Sequence, residues 1–586
     1  MSTAITTRSY DNARTGGYPH ETVLTATAVG TRGIRRAFSL DLKGDKRGIE
    51  AQPLAVPRIA LDDGSVHDVI YLADMANQVW AFDAATGAQL WVRTLGRPID
   101  GSHDIDVYLI NDHWGVLSTP VIDTAAGIMY AVAWVSDDGS VPKARHLCYA
   151  LSIRNGKDAH PPVDLEGASY DAGHGTPVQN FSSAARKQRA GLLLTKVDGV
   201  ATVFIGFGSV RETGKDARGW VLACSTEPFA RTAAWCATAA GFGGGIWHGA
   251  GGLAADPDGY VYAMTGNGSF DAVTDFAESF VKLAYTPPAG DAPATLTLLD
   301  WWTPFTDRAR TAGRTPAPAP GPAAPTPTNF RALAATEGMD GWDDMDLASG
   351  GPVVLPSHNT VLGAGKDGVL YVVKLDDMGR TTPADLDAPA GNYAKLLSEP
   401  IFFTYYSPAL SPHPDDIRTL DTLWNNVTHH LHGNPVTWNS IERGPLVYCW
   451  GENENLRAWS LNEGGSLTYL ARGAESASPQ SPVPPGGMPG GMISLSADPA
   501  TPHTGVVWAT VPYIDANTKV SAGRLLAYDA TRFDTFADGS AKLRVLWDSQ
   551  DWNLQFSFNK FNRPVVFDGR LYVPTYDDRV DVYELA

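Results

Sequence analysis

Two features common in other protein classes are scarce in this chain. It contains four cysteines in 586 residues, with no Cys-x-x-Cys pair and no Cys-x-x-Cys-His sequence. No stretch reaches about 18 consecutive uncharged apolar residues, the length that a membrane-spanning helix needs. The sequence therefore excludes a c-type haem attachment site and predicts that no helix of this chain crosses a membrane.

The net charge, the cysteines and the N-terminal sequence bear on nucleic-acid binding, on disulfide formation and on the compartment. The formal net charge is −19, and repulsion by phosphates argues against nonspecific nucleic-acid binding. Cys224 and Cys236 fall on predicted neighbouring strands of one hairpin, where two buried free thiols are favoured over a disulfide. The start, MSTAITTRSYDNARTGG, lacks the apolar core of a signal peptide, so the compartment stays open between the cytoplasm and a location that needs a leader absent here.

The stretch VIYLADMANQVWAFDAATGAQLW (69–91) predicts three short strands. An apolar run (69–72) is followed by an alternating segment (78–82), and Asp83 and Gly87 mark the turn that comes next. An Asp side chain can cap such a turn, and Gly supplies a positive φ. Trp91 begins the next strand, where its large flat ring is predicted to pack between neighbouring sheets.

The same order of a short apolar strand, a turn, a second strand and usually a third recurs eight times. Eight such units predict an all-β fold, an eight-bladed β-propeller. The first strands of the units are EAQPLAVPR (50–58), STPVIDTAAG (118–127), RAGLLLTKVDG (189–199), AGGLAADPDG (250–259), SGGPVVLPSHN (349–359), HGNPVTWNS (432–440), PGGMISLSADP (489–499) and NRPVVFDG (562–569).

The two ends of the chain predict how the ring closes. The last unit stops in its third strand (580–585), while the early strand RAFSLDL (36–42) has no unit of its own. We predict that this N-terminal strand completes the last blade, which removes exposed sheet edges. The whole chain (1–586) is predicted to be one domain with two insertions, a Pro-rich loop (305–345) and an excursion (377–432) with a helical piece near 414–430.

The repeats and the motif from Ala81 to Trp91 resemble the pyrroloquinoline quinone (PQQ)-type propeller family, the quinoprotein alcohol dehydrogenase-like group. The resemblance covers nearly the whole chain. It implies a PQQ- and Ca²⁺-dependent dehydrogenase that oxidises an alcohol or a sugar, with a small-molecule substrate and a separate electron acceptor. It also implies a periplasmic or secreted location.

The resemblance assigns residues to the quinone. Glu50 in GIEAQPL matches a Glu that contacts PQQ, and Lys366 in GAGKDGVLYVV matches a basic residue at the quinone oxygens. His113 in NDHWG stands where alcohol dehydrogenases carry two adjacent cysteines and glucose dehydrogenases a His. Trp247 matches the Trp beneath the quinone, although it lies three residues earlier than the family spacing predicts.

The resemblance also assigns a cation site and a base. Asn267 in TGNG and Glu212 in RETGK match Ca²⁺ ligands, and Asp343 in GWDDMD is a further ligand. Asp343, or Asp344 beside it, matches the catalytic base. Ca²⁺ prefers such oxygen ligands and would polarise the quinone carbonyl, while an Asp beside the substrate hydroxyl would take its proton.

Each of these residues has an ordinary structural alternative. Asn267 lies in a turn sequence, Lys366 in a hairpin signal, and Glu50 before a strand where it is equally suited to solvent. Asp343, Asp344 and the nearby Asp346 form a cluster of like charges, which is either solvated or bound to a cation, because burial of uncompensated charge is expensive.

Three histidines suggest a different site. His113, His248 and His432 each precede the first strand of an alternate unit, so they are predicted to line one mouth of the channel. With His430 or Asp346 nearby, they form a candidate transition-metal site; the alternative is that they bond to backbone. The alternative functions are therefore a metal-dependent lyase or hydrolase, lost on chelation, and a non-catalytic binding propeller.

Overall fold

The computed structural model describes residues 3–43, 48–103, 105–106, 108–211, 216–304, 346–387, 392, 395–398, 401–402, 430–478, 488–517 and 519–586. Within these ranges the chain forms an eight-bladed β-propeller, as predicted, with antiparallel blades whose strands follow chain order. The Pro-rich loop and the helical piece near 414–430 lie outside the described residues. No described helix is long and apolar enough to cross a membrane.

The first elements precede the blades and are followed by blades 1 to 4. They are β1 (Gly17–Tyr18), α1 (Ala26–Arg32) and β2 (Ile34–Asp41). Blade 1 contains β3 (Leu54–Ala60), β4 (Val66–Ala73), β5 (Gln78–Asp83) and β6 (Gln89–Thr94), followed by the short pair β7 (Ile99–Asp100) and β8 (His113–Trp114). Blade 2 contains β9 (Val121–Asp123), β10 (Ile128–Val135), β11 (Arg145–Ser152) and β12 (Asp158–Asp164), followed by β13 (Ser169–Tyr170) and β14 (Gln179–Asn180). Blade 3 contains β15 (Arg186–Lys187), β16 (Leu193–Val197), β17 (Val200–Ser209), β18 (Trp220–Thr226) and β19 (Phe229–Cys236). Blade 4 contains β20 (Ala254–Ala255), β21 (Val261–Met264), β22 (Phe280–Thr286) and β23 (Thr295–Trp302).

Blades 5 to 8 complete the ring. Blade 5 contains β24 (Val353–Leu355), β25 (Thr360–Ala364), β26 (Val369–Lys374) and β27 (Ile401–Phe402), with α2 (Pro383–Asp387) before β27. Blade 6 contains β28 (Val436–Ser440), β29 (Gly444–Cys449), β30 (Asn455–Leu461) and β31 (Leu467–Ser476). Blade 7 contains β32 (Met492–Ser496), β33 (Val506–Pro512), β34 (Gly523–Thr535) and β35 (Ala541–Asp548). Blade 8 contains β36 (Val565–Phe567), β37 (Arg570–Pro574) and β38 (Arg579–Leu585). Short 3-10 turns lie at Val141–Lys143, Ser183–Ala185, Leu347–Ser349, Pro356–His358 and Ser549–Trp552.

The predicted closure is confirmed by the pairing of β2 with β38. The two strands run antiparallel from Ile34 opposite Leu585 to Asp41 opposite Arg579. The N-terminal strand is thus the outermost strand of blade 8, and the ring is closed by strands from both ends of the chain.

The turn predicted after β5 is formed by the residues that signalled it. Asp83 Oδ1 accepts hydrogen bonds from the backbone N–H groups of Ala85 (3.0 Å) and Thr86 (2.7 Å), and Gly87 has a φ of 73°. Trp91 lies against Gly156 of blade 2, where a β-carbon would come within 2.8 Å of the ring. The Trp therefore packs between neighbouring blades, as expected from its place in the repeat.

The N-terminal segment before β1 lies inside the ring and bonds to every blade. The sequence of this segment predicts only that it is not a signal peptide and does not predict this arrangement. Its hydrogen bonds are Ile5 with Ala55 (2.7 Å), Ile122 to Thr6 (2.9 Å), Thr7 to Leu192 (3.4 Å), Val566 to Tyr10 (2.9 Å), Ala255 to Asn12 (2.8 Å), Val354 to Ala13 (2.9 Å), Thr437 to Thr15 (2.8 Å) and Leu495 to Gly16 (3.0 Å).

All four cysteines are buried free thiols, which confirms the prediction made for Cys224 and Cys236. Cys224 lies opposite Arg231 in the β18–β19 pairing, whereas Cys236 lies opposite Trp220. The pairing register therefore separates the two cysteines along the hairpin. Cys224 instead contacts Cys148 of blade 2, and this contact together with burial raises the pKa of Cys148.

A buried histidine makes the stability of blade 2 depend on pH. The His146 ring stacks on Trp134 (5.3 Å between ring centroids), both of its nitrogens lack hydrogen-bond partners, and burial, aided by the charge of Arg186, lowers its pKa to about 3. Below pH about 6.5 the unfolded chain therefore takes up a proton that the folded chain does not, so stability falls as the pH falls toward 3.

Replacing this residue (His146→Phe) is expected to flatten the pH dependence. Between pH 7 and 5 the free energy of unfolding should fall by ~2 kcal/mol less than in the parent, because a phenyl ring takes up no proton in either state. Denaturant unfolding at the two pH values measures the difference, with the exposed His20→Phe as control. An unchanged pH dependence in His146→Phe would contradict this assignment.

Candidate active site

Antiparallel pairing brings the polar residues of several blades to one mouth of the channel. The start of an innermost strand and the end of the second strand lie at the same end of a blade. The residues before the innermost strands β3, β16, β20, β24, β28 and β36, and those just after β21, β25 and β29, are therefore neighbours around the axis. They include Glu50, Arg189, Trp247, Asn267, Asp346, Lys366, His430, His432, Glu452, Lys560 and Phe561. We refer to this group of residues as the channel mouth.

Asp346, Lys366 and Asn267 form the first cluster in the channel mouth. Lys366 Nζ lies 2.8 Å from Asp346 Oδ2, and the Asn267 backbone N–H donates to Asp346 Oδ1 at 3.0 Å. The Asp346 and Lys366 side chains are only 3% and 12% exposed. The structure thus joins two residues predicted from the resemblance, Asn267 and Lys366, through the Asp346 carboxylate, to which the resemblance assigns no role.

Trp247 lies beside this cluster, and its ring packs against two glycines. A β-carbon at Gly208 would come within 2.6 Å of its ring, and one at Gly245 would come within 2.8 Å of its Nε1. The Gly266 N–H donates to the Gly245 carbonyl at 2.9 Å, which ties the Trp247 segment to the segment that carries Asn267. Only glycine leaves room for the indole at positions 208 and 245.

Glu50 of blade 1 forms an ion pair with Arg189 of blade 3. Its Oε2 accepts a hydrogen bond from Arg189 Nε at 2.9 Å, and the Glu50 side chain is 1% exposed. The guanidinium of Arg189 also lies over the Phe561 ring, 4.7 Å from its centroid, and the ammonium of Lys560 lies 5.2 Å from the same centroid. Glu50 is therefore a buried and paired residue of the mouth.

His430, His432 and Glu452 form a second cluster. Ligating atoms of all three side chains lie within 4.8 Å of one another, and no other such group of three occurs among the described residues. Burial lowers the pKa of His430 to about 4 and also lowers that of His432. Both imidazoles are consequently neutral near pH 7, the form in which a ring nitrogen binds a metal.

The other predicted histidines are placed elsewhere. The His248 ring is fully buried, and its Nε2 accepts a hydrogen bond from the Met264 backbone N–H at 3.0 Å. His113 is half-buried in β8, opposite Asp100 of β7. The group around His432 includes neither of them, so the structure does not bring the three predicted histidines together as one metal cluster.

Three predicted residues lie outside the described ranges. These are Glu212, Asp343 and Asp344. Their roles remain expectations from the resemblance.

Four residues of the channel mouth were missed in the sequence. Each stands where a blade begins its innermost strand or ends its second, and comparing those positions across all eight units would have found them. They are Arg189, Glu452, Lys560 and Phe561. Three of the mouth's side chains are basic, Arg189, Lys366 and Lys560, and they lie near the acidic Glu50, Asp346 and Glu452.

Comparison with known proteins identifies the fold. No family model matches this chain, and no curated protein matches its sequence. A solved quinohemoprotein alcohol dehydrogenase, ADHIIG from Pseudomonas putida HK5, superposes with a TM-score of 0.52 at 16% identity over 99% of this chain and 80% of that one. This chain shares its β-propeller fold with that dehydrogenase.

Two further dehydrogenases align over most of this fold. The quinohemoprotein alcohol dehydrogenase from Comamonas testosteroni gives a TM-score of 0.49 at 16% identity, over 97% of this chain and 76% of that one. A europium-containing methanol dehydrogenase gives 0.48 at 15% identity, over 97% and 88%. Identities this low say nothing of the chemistry, which has to be argued from the residues of the mouth.

Proposed function

We propose that this protein is an oxidoreductase that binds PQQ and Ca²⁺ at the channel mouth and oxidises an alcohol or a sugar. One observation carries the proposal: Lys366 and Asn267, separated by 99 positions of sequence, meet at Asp346 beside the Trp247 ring. These are residue types and positions that the resemblance assigns to the quinone and its cation.

The polar atoms of the mouth fit these groups. Asn267 Oδ1 and Glu50 Oε1 are buried oxygens without a hydrogen-bond partner. An oxygen of this kind suits a hard cation or a donor on a ligand, because an unpaired buried acceptor is costly. The basic side chains Arg189, Lys366 and Lys560 suit the carboxylates of PQQ, and the Trp247 ring offers a flat apolar surface.

The roles of the residues follow from their chemistry. PQQ, when bound, supplies the two-electron acceptor. Glu50, Lys366 and Trp247 would hold it, while Asn267 would contribute to the Ca²⁺ site together with Glu212 and Asp343. Because Asp346 is already bonded by Lys366 and Asn267, it is better placed to orient the Lys366 ammonium than to accept a proton.

The proton acceptor is then one of the other carboxylates of the same sequence motif. We assign the substrate hydroxyl proton to Asp343 or Asp344, which stand three and two residues before Asp346. A carboxylate within hydrogen-bond reach of the hydroxyl is the usual general base. Electrons leave to a separate acceptor, because the sequence has no haem attachment motif.

Fluorescence titration tests the binding step. Chelator-stripped protein is titrated with PQQ, with and without Ca²⁺, and saturable quenching of tryptophan fluorescence is expected only with the cation. Asn267→Ala and Lys366→Met should each weaken binding by at least about tenfold, the cost of one charge-assisted contact. Dye reduction with a panel of alcohols and sugars should then require added quinone.

A lysine at the far end of the same blade is the matched control. Lys374 ends β26 and pairs with Asp376 at 3.1 Å, with its side chain 38% exposed. Lys374→Met should therefore leave quinone affinity unchanged. Absence of saturable PQQ binding in the folded parent, with or without Ca²⁺, would refute the proposal.

A further inference from the structure

We propose that His430, His432 and Glu452 bind a divalent transition-metal ion, in a site of the channel mouth distinct from the Asn267 cation site. His432 Nε2 lies 3.5 Å from Glu452 Oε1, and His430 Nδ1 lies 3.8 Å from Glu452 Oε2. All three ligating atoms fall within 4.8 Å of one another. An ion placed among them can therefore reach each ligand with only small rotamer adjustments.

The backbone around the cluster is held in place. The Leu431 N–H donates to the Gly365 carbonyl (3.0 Å), the Glu452 N–H donates to the His430 carbonyl (3.0 Å), and the Ala250 N–H donates to the His432 carbonyl (3.2 Å). Leu431 is fully buried in the core shared by blades 5 and 6. In an extended segment, alternate side chains share a face, so burying Leu431 turns His430 and His432 toward the same side.

The side chains are also ready to bind. His432 and Glu452 are 2% and 1% exposed, whereas His430 is 21% exposed. His432 Nε2 is buried without a hydrogen-bond partner, which is a costly state for an imidazole nitrogen unless a ligand completes it. The more open His430 marks the side from which an ion can enter.

The ligand atoms select the kind of ion. Two imidazole nitrogens and one carboxylate oxygen suit Zn²⁺ or Fe²⁺, whereas Ca²⁺ requires a larger set of oxygens. Three protein ligands leave at least one position of a four-coordinate ion open, as in catalytic rather than structural zinc sites. The positive charges of Lys366 and Lys560 disfavour a cation at this position, and the negative charges of Glu452 and Asp346 offset that repulsion.

The site does not depend on the proposed quinone chemistry. Its three residues belong to one blade, on either side of β28 and β29, and none of them is assigned to PQQ or Ca²⁺. Its occupancy is measured without quinone, so failure of the metal test and failure of the quinone titration are separate results.

Cobalt serves as a spectroscopic probe of the site. Chelator-stripped protein without a histidine tag is titrated with Co²⁺, followed by the visible absorption of the bound ion, and Zn²⁺ is then added in competition. One equivalent of Co²⁺ should bind, and Zn²⁺ should displace it. His432→Gln and Glu452→Gln should each weaken binding by at least about 100-fold, because each removes a direct ligand of the metal, which costs more than the loss of a supporting residue.

Two further variants keep the test decisive. His430→Gln alters the partly exposed ligand and is expected to fold even if the buried variants do not, with the same loss of Co²⁺ affinity. His113→Gln changes a histidine outside the cluster and should bind Co²⁺ as the parent does. The proposal is overturned if the folded parent shows no saturable Co²⁺ or Zn²⁺ binding, or if His430→Gln binds as tightly as His113→Gln.

Discussion

Replacing Arg8 with methionine should lower the free energy of unfolding by about 3–5 kcal/mol. Arg8 is 1% exposed. It donates to the carbonyls of Glu50 (3.1 Å), Gly249 (3.2 Å) and Phe561, and to Thr119 Oγ1 (3.1 Å). Methionine fills much of the same volume but cannot donate to the three buried carbonyls. These carbonyls belong to three different blades, which the Arg8 side chain links.

Two control variants separate the hydrogen bonds from charge and residue type. Arg8→Lys keeps the positive charge but has a single donor atom, so it should cost less than Arg8→Met, about 1–2 kcal/mol. Arg35→Met removes an arginine of β2 whose side chain is 64% exposed and should change stability by no more than ~1 kcal/mol. Chemical unfolding measures all three; equal stability of Arg8→Met and parent would mean that the N-terminal segment does not brace the ring.

Asp346→Asn should lower the free energy of unfolding by about 3 kcal/mol and weaken quinone binding at least tenfold. Asparagine can still accept from the Asn267 N–H, but Lys366 then keeps its charge in a mostly buried site without its paired carboxylate. Lys366→Met removes that charge. The double variant should therefore be ~2 kcal/mol more stable than the sum of the two single losses predicts.

An exposed pair in the same blade provides the reference cycle. Lys374 and Asp376 lie 3.1 Å apart with side chains 38% and 63% exposed, and their coupling should be no more than ~1 kcal/mol. Equal coupling in the two cycles would show that burial does not strengthen the Asp346–Lys366 pair, and would remove its assigned role in orienting the ammonium.

The ring was predictable because it is a local pattern repeated eight times. Each unit carries its strands and turns in consecutive residues, and the turn at Asp83 and Gly87 formed through the interactions that signalled it. Closure by β2 was predictable by counting strands, because the last unit has one strand fewer than the others and the early strand β2 belongs to no unit.

The N-terminal segment was not predictable in the same way. It is polar, contains two arginines (Arg8 and Arg14), and has neither the period of a strand nor that of a helix. Its burial depends on carbonyls such as those of Gly249 and Phe561, which come together only when distant blades have closed around it. No pattern within the segment itself reports those partners.

The channel mouth was predicted in part. The resemblance selected Lys366 and Asn267, but the carboxylate that joins them, Asp346, and the third member of the histidine cluster, Glu452, follow from the packing of adjacent blades. His248 does not join this cluster because its Nε2 bonds to the Met264 backbone of its own blade, an interaction that no sequence spacing reveals. The sequence therefore shows which histidines precede a strand but not which of them lie next to a carboxylate such as Glu452.

The central claim is that the channel mouth holds a quinone, and diffraction from crystals grown with PQQ and Ca²⁺ tests it most directly. The account predicts quinone density against the Trp247 ring, oxygens of the quinone within hydrogen-bond distance of Lys366, and an ion bound by Asn267 Oδ1. A channel mouth without quinone density at saturating PQQ, or quinone bound only elsewhere on the surface, would contradict it.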